Sequence, residues 1–423
     1  MTSVCFYFQV HQPYRLKDYG FFKIGIDHSY EADEKNREIL NKVADKCYIP
    51  ANNKMLDLID RFDGNFKIAF SFSGTVLEQF EKYRPDVLAS FKKLVKTGMV
   101  EILSETYYHS LSFPNSRKEF ERQVKLHADK VKELFGVTPT VFRNTELIFN
   151  NDIAFMAHKM GFKGILCEGV DRFLKERSPN FLYYSQGSKE IKCLLKNYTF
   201  SDDIAFRFSN RGWKEYPLTA AKFSKWVHNL DGKSDVINLF MDYETFGEHQ
   251  WTETGIFKFL DTLPSELLKH QNFDFKTPSE VIEAYQAKET YDVPTYTSWA
   301  DQERDLSAWL ENAMQKEALQ RIYNLEEKVL KTKDKTLIDT WSRLQTSDHF
   351  YYMSTKFMTD GDVHQYFSPY ATPFDAYINY MNVLSDFEKV VEDLSIVKKD
   401  KTEKTEKADK PEKKKVKKAS LKE

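Results

Sequence analysis

Residues 4–10 alternate strictly. Val4, Phe6, Phe8 and Val10 fall on one side, and Cys5, Tyr7, Gln9 and His11 on the other. A period of two marks a strand, and Pro13 ends it. The same pattern returns at 67–73, with Ile68, Phe70 and Phe72 opposite Ala69, Ser71 and Ser73. It returns again from residue 236, where Ile237, Leu239 and Met241 oppose Asn238, Phe240 and Asp242. Shorter strands are predicted at 100–105, 140–146, 164–168, 191–199 and 204–208. Helical spacing fills the intervals at 41–61, 76–97, 116–135, 151–160, 219–229, 254–269 and 278–287. Ser116, with Glu119 three residues on, has capping-box spacing.

Strand and helix alternate about seven times, which predicts a parallel sheet. The strands at 4–10, 67–73 and 236–242 each pair an apolar face with one of small, polar or ionisable residues. An open sheet covered on both sides would be apolar on both, so a closed barrel fits better, its apolar face against helices and its other face inside. His11, Glu105, Glu146, Glu168 and Asp242 all fall at the C-terminal ends of strands, where barrels of this class carry their chemistry. The expected fold class is α/β, a (β/α) parallel barrel over residues 1–290 with its site on that rim. The texture then turns helical, with stretches at 306–331, 335–357 and 374–394, predicting a C-terminal helical bundle over 291–396 appended to the barrel.

Composition changes the picture in three places. The net charge of −2 hides a tail: residues 398–423 hold twelve Lys against six acids, +6, and the rest of the chain is −8. That stretch is almost without apolar residues and is expected to be a disordered, solvated tail over 397–423, with no nucleic-acid partner assigned to it. No apolar run approaches a membrane span, and the N-terminus lacks the pattern of a secretory signal. With Cys5, Cys47, Cys167 and Cys193 scattered, a cytoplasmic location with reduced thiols is expected. Aromatic residues reach 15%, which suits sugar rings or bases as well as a large core.

No glycine-rich phosphate loop follows any strand, so nucleotide binding has no motif behind it. The rim offers carboxylates instead. Glu146 and Asp242 both end predicted strands and are both expected to point inward by the alternation, and two carboxyls across a substrate are what glycosidic cleavage requires. Their bland alternative is a structural ion pair with Arg143 or a lysine. Glu101 and Glu105 share a strand, Glu101 at its start. His11, His28, His109 and His249 lack the short fixed spacings of zinc ligands, so no metal and no cofactor are expected. Neutral His11 and His109 fit better as hydrogen-bonding partners of a sugar hydroxyl or carboxylate.

Five ordered segments carry a resemblance: His11-Gln-Pro13; Gly98-Met-Val-Glu-Ile-Leu103; Phe142-Arg-Asn-Thr-Glu-Leu147; Met241-Asp-Tyr-Glu-Thr-Phe-Gly-Glu-His249; and the stretch from Trp299 to Trp309. Together they resemble the motifs of glycoside hydrolase family 57, its α-amylase-type branch most closely. The resemblance implies a (β/α)7-type parallel barrel with a C-terminal helical bundle that completes the substrate cleft, acting with retention on an α-1,4-glucan or malto-oligosaccharide without a metal. It implies Glu146 as nucleophile and Asp242 as general acid/base. His11, Glu105, His109, Arg143, Glu248, His249, Trp299 and Trp309 are then expected around the sugar, with bundle core the competing role for both tryptophans. The third segment departs from the family's frequent Trp-leading form. A 4-α-glucanotransferase or branching-type transferase would use the same carboxylates with a sugar as acceptor. A metal-dependent carbohydrate hydrolase or deacetylase, and a non-catalytic glycan-binding protein, are the rivals of another class.

Overall fold

The computed structural model describes residues 1–356 and 368–408. Ten strands occur among them: β1 Thr2–Val10, β2 Ile68–Phe72, β3 Val100–Ile102, β4 Val141–Arg143, β5 Gly164–Glu168, β6 Tyr183–Ser185, β7 Ser188–Lys196, β8 Val236–Asp242, β9 Phe273–Phe275 and β10 Glu289–Tyr291. β1 lies between β2 and β8, both parallel to it, with Phe6 opposite Ile68 on one side and Leu239 on the other. β2 pairs with β3, β4 with β5, β5 with β7, and β7 with β8, all parallel. A parallel bridge between Ser104 and Phe142 joins β3 to β4 and closes the ring at seven strands. β9 extends the start of β1, and β6, antiparallel to β7, carries β10 on its far edge.

Alternation in the sequence becomes inside and outside in the barrel. Val4, Phe6, Phe8, Val10, Ile237, Leu239 and Met241 pack outward against the helices at Asp33–Val43, Ile49–Arg61 and Ile256–Leu268. Cys5, Tyr7, Ala69, Leu103, Leu166, Leu194 and Phe240 fill the interior. A third cluster joins the outer faces of β4, β5 and β7 (Phe142, Ile165, Cys193) to Trp309, Trp341, Leu319, Tyr380 and Phe387 of the C-terminal helices. Barrel and bundle therefore share one apolar contact.

Several expected elements differ. The segment 204–208 is not a strand but part of a helical turn, Asp203–Arg207, entered from the helix Tyr198–Asp202, whose N-cap Asn197 follows β7 directly. The fourth strand stops at Arg143, not at 146. Ser116 caps its helix by accepting the Glu119 N–H at 3.1 Å, but Glu119 turns to Arg122 and Gln123 instead of closing the box. The bundle breaks into Ser307–Leu310, Ala313–Asn324, Glu326–Thr332, Lys335–Arg343, Ser347–Tyr351 and a long helix, Pro373–Ala408. That helix runs into the segment expected to be a disordered tail; residues 409–423 lie outside the described residues, as does Phe357 at the end of the predicted 335–357 helix.

Candidate active site

The C-terminal ends of the strands open into a cavity of about 720 Å³, walled on its far side by the bundle. His11 arrives at the end of β1, Asp242 at the end of β8, and Glu146 just past β4; all three line it, with His109, Glu244, Glu248, His249, Trp299 and Trp309. Asp242 arrives by plain alternation, two residues past inward Phe240. Glu146 does not. Phe142 packs outward, so continued alternation would have sent Glu146 away from the interior. Instead the chain turns over Thr145–Leu147, where Glu146 and Leu147 hold φ of 55° and 50°, the sparsely populated left-handed region. That turn swings the carboxylate into the cavity.

Glu146 is held from two sides. The Trp299 indole N–H donates to Oε2 at 2.7 Å and His109 Nε2 reaches Oε1 at 3.0 Å. Behind His109, Glu105 accepts from its Nδ1 at 3.4 Å and is itself held by Ser71 at 2.6 Å and Gln9 at 3.0 Å. Burial opposes charge on His109, but hydrogen bonds and attraction from the two glutamates outweigh it and raise the imidazole to about 9. Burial likewise pushes Glu105 and Glu146 up, and His109, with Arg143 beyond it, more than reverses this, leaving Glu105 at about 2 and Glu146 below its ordinary value. Asp242 is moved the other way, up to about 6, by burial and then by the charge of Glu146, against the pull of Arg143, His109 and Lys196. Glu244 rises to about 8 through burial and the proximity of Asp242, with Tyr48 donating to it. Below about pH 6 the two carboxyls in one cavity thus carry opposite protonation states, Asp242 protonated and Glu146 ionised, the separation an acid and a nucleophile need.

Other expected residues take less direct places. Arg143 and Glu105 are fully buried and do not border the cavity; Arg143 lies 3.8 Å from Glu105 and 4.9 Å from the Trp299 ring, so both support the residues that do. Among the described residues neither Glu146 nor Asp242 forms an ion pair with Arg143 or a lysine; the charged partner of Glu146 is His109, at 3.0 Å. Trp309 is 1% exposed and belongs to the bundle core, with only an edge on the cavity; Trp299 is half-buried and touches Glu146. His249 lines the cavity and is held neutral, down at about 4, by burial. Glu248 pairs with Lys42 at 2.5 Å. His28 sits elsewhere, against Asp386 at 2.8 Å. Among the described residues no three His, Cys, Asp or Glu side chains could hold a metal together.

The bundle supplies residues that the sequence reading missed. Asp348 accepts from His11 Nε2 at 2.9 Å, while Ser73 meets Nδ1 at 2.6 Å, and the His11 ring lies stacked 4.0 Å from that of His109. Burial and the neighbouring His109 push His11 down, so a neutral ring lies on a charged one. Lys196, at the end of β7, is pinned by Asp202 at 3.0 Å and lines the wall near Trp299. Asp348 lies more than 200 residues from its partners in sequence, so no local pattern announces it.

Comparison with known proteins follows from this geometry. Residues 5–294 match the family described as Glycosyl hydrolase family 57. Over 403 residues the chain is 45% identical to a Methanocaldococcus jannaschii protein named "Putative alpha-amylase", covering 92% of this chain and 85% of that one. Among solved structures, a GH57-type branching enzyme from Pyrococcus horikoshii superimposes with a TM-score of 0.62 at 16% identity, covering 86% of this chain and 87% of the other. A 4-alpha-glucanotransferase from Thermococcus litoralis gives 0.60 at 17%, covering 82% of this chain and 56% of that one. At those identities the likeness is one of fold.

Proposed function

Because the chain belongs to glycosyl hydrolase family 57 and is a glycoside hydrolase, we propose that it cleaves α-1,4-glucans with retention, Glu146 acting as nucleophile and Asp242 as general acid/base. The observation that carries this reading is the opposed protonation of the two carboxyls. Protonated Asp242 gives its proton to the glycosidic oxygen as that bond breaks, and the Glu146 carboxylate forms a bond to the anomeric carbon. His109 and Trp299 hold Glu146 ionised and aimed, with one hydrogen bond to each carboxylate oxygen. Asp242, now an anion, takes a proton from water, whose oxygen displaces Glu146 and restores the starting state. The lowered polarity of the cavity raises Asp242 toward the working range; once Glu146 is esterified its charge is gone, and Asp242 falls and serves as base.

The name of the Methanocaldococcus relative supports an amylase-like substrate. The test is purified protein with maltoheptaose in the presence of chelator, followed by chromatography and by NMR of the first-formed anomer. Shorter products of retained α configuration, absent with Glu146→Gln, are expected. Longer products as well would assign transfer to a sugar acceptor. Inversion, or no turnover without added zinc, would overturn the mechanism.

A further inference from the structure

Two large aromatic side chains stand in water on the segments that follow β7 and β8. Phe206 and Trp251 are each 59% exposed, and burying either would release apolar surface from water. Phe206 lines the cavity directly, and Trp251 follows Glu248 and His249, which also line it. The two belong together: Gln250 Nε2 donates to the Ala205 carbonyl at 2.8 Å, so each aromatic residue immediately follows one member of a hydrogen-bonded pair. Phe206 borders the cavity itself, whereas Trp251, like exposed Phe21, Phe22, Ile26, Phe374 and Ile378, does not; Trp251 is set apart from those by the hydrogen bond that ties its segment to that of Phe206.

The segment that presents Trp251 is rigid. The Gly247 N–H donates to the Gln250 carbonyl at 2.9 Å and the His249 N–H to the Glu244 carbonyl at 2.9 Å. Gly247, with φ of 114°, sits so close to the Lys46 carbonyl that a Cβ would lie 2.0 Å from it. Lys46 is 5.9 Å from the Trp251 ring and 3.9 Å from Glu248, and Lys42 holds the other Glu248 oxygen. The hydrogen-bonded turn fixes the backbone from which the indole projects, which lowers the cost of ordering this segment against a bound face.

We infer that Phe206 and Trp251 form a stacking platform for glucose units of a bound α-glucan beyond the reacting bond, on the leaving-group side. This rests on the function proposed above. Both residues follow the strands β7 and β8, and β8 carries Asp242, the proposed donor to the leaving oxygen. A chain leaving the reacting bond along the wall of Asp242, Glu244 and His249 would meet Phe206 on that wall and then Trp251, on the segment hydrogen-bonded to it. The C–H faces of pyranose rings are apolar and stack on aromatic faces, while their hydroxyls stay in water.

The experiment measures kcat/KM on maltotriose and maltoheptaose for the parent, Phe206→Ala, Trp251→Ala, the double variant and Trp251→Tyr, with thermal unfolding as the check on folding. The double variant should lose about tenfold in the ratio of maltoheptaose to maltotriose, through KM more than kcat. Each single alanine should lose less, and Trp251→Tyr should keep most of the parent's ratio. An active, folded double variant whose ratio matches the parent's overturns the platform and leaves the proposed function standing. A parent that turns over neither sugar overturns the function, and the platform with it.

Discussion

At the scale of single residues, the site works by separating two carboxyls that sequence alone presents as equivalents. Glu146 has a tryptophan N–H and an imidazolium on it; Asp242 has neither and feels its neighbour's charge. The rate of glycosidic cleavage should therefore fall as pH rises through about 6, where Asp242 loses its proton. Asp242→Asn should abolish that alkaline limb; with maltosyl fluoride, whose departure needs no acid, a measurable rate should persist. An unchanged profile in the variant would remove Asp242 from the role. Glu105 acts one layer down, through His109. Its lowered value means that its contribution to stability is present above about 4.5 and lost as pH falls through about 2; the raised His109 contributes fully below about 6.5 and loses its share as pH rises through about 9. Glu105→Gln should thus cost roughly 3 kcal/mol, the cost of breaking a buried charge pair, between about pH 4.5 and 6.5. Denaturant melts should show that difference shrink above pH 9. It should also lower kcat, because Glu146 loses part of the charge that keeps it ionised.

At the scale of elements, two short turns do what regular structure cannot. The turn Thr145–Leu147 reverses the side on which Glu146 emerges, and the loop after β8 packs its backbone on Lys46. Gly247 is the residue on which that second loop depends, since its φ favours glycine and the space beside it holds a carbonyl. Gly247→Ala should destabilise the protein by about 1–3 kcal/mol and displace Glu248, His249 and Trp251 together. Calorimetry would give the first effect. The second would appear as a larger loss on maltoheptaose than on maltotriose, and equal losses on both would count against the loop's role.

At the scale of the whole molecule, the barrel carries the two proposed reacting carboxyls and bundle residues line the same cavity. Asp348 and Ser347, at the start of one short bundle helix, meet His11 and Glu146 across the interface. Asp348→Ala should lower kcat by about ten- to a hundredfold, because His11 loses the acceptor that fixes its ring on His109, with little change in secondary structure by circular dichroism. Since barrel and bundle share an apolar cluster, one unfolding transition is expected. A non-hydrolysable malto-oligosaccharide at 100 times its Kd should shift it by about 2.7 kcal/mol in stability. Two transitions, only one of them shifted, would mean that the bundle does not complete the site.

The sequence by itself determined a good deal. Strict alternation in 4–10, 67–73 and 236–242 specified which side chains face the helices and which fill the barrel, because a strand's period of two is a covalent property of the backbone. It therefore placed Asp242 correctly. Five spaced segments identified the family, and the helical texture after residue 290 announced the bundle. Tertiary structure decided the rest. The strand at 140–146 is cut short at Arg143, so Glu146 reaches the cavity through a left-handed turn that no periodicity encodes. Arg143 and Glu105, which looked like rim residues, lie beneath it, because depth in a barrel depends on stagger between strands and not on position within one. Asp348 joined the site only because a bundle more than 200 residues away in sequence packs on the rim. The protonation states followed from that packing as well, since the same carboxyl group is acid or anion according to which charges and hydrogen bonds the fold brings within a few ångströms of it.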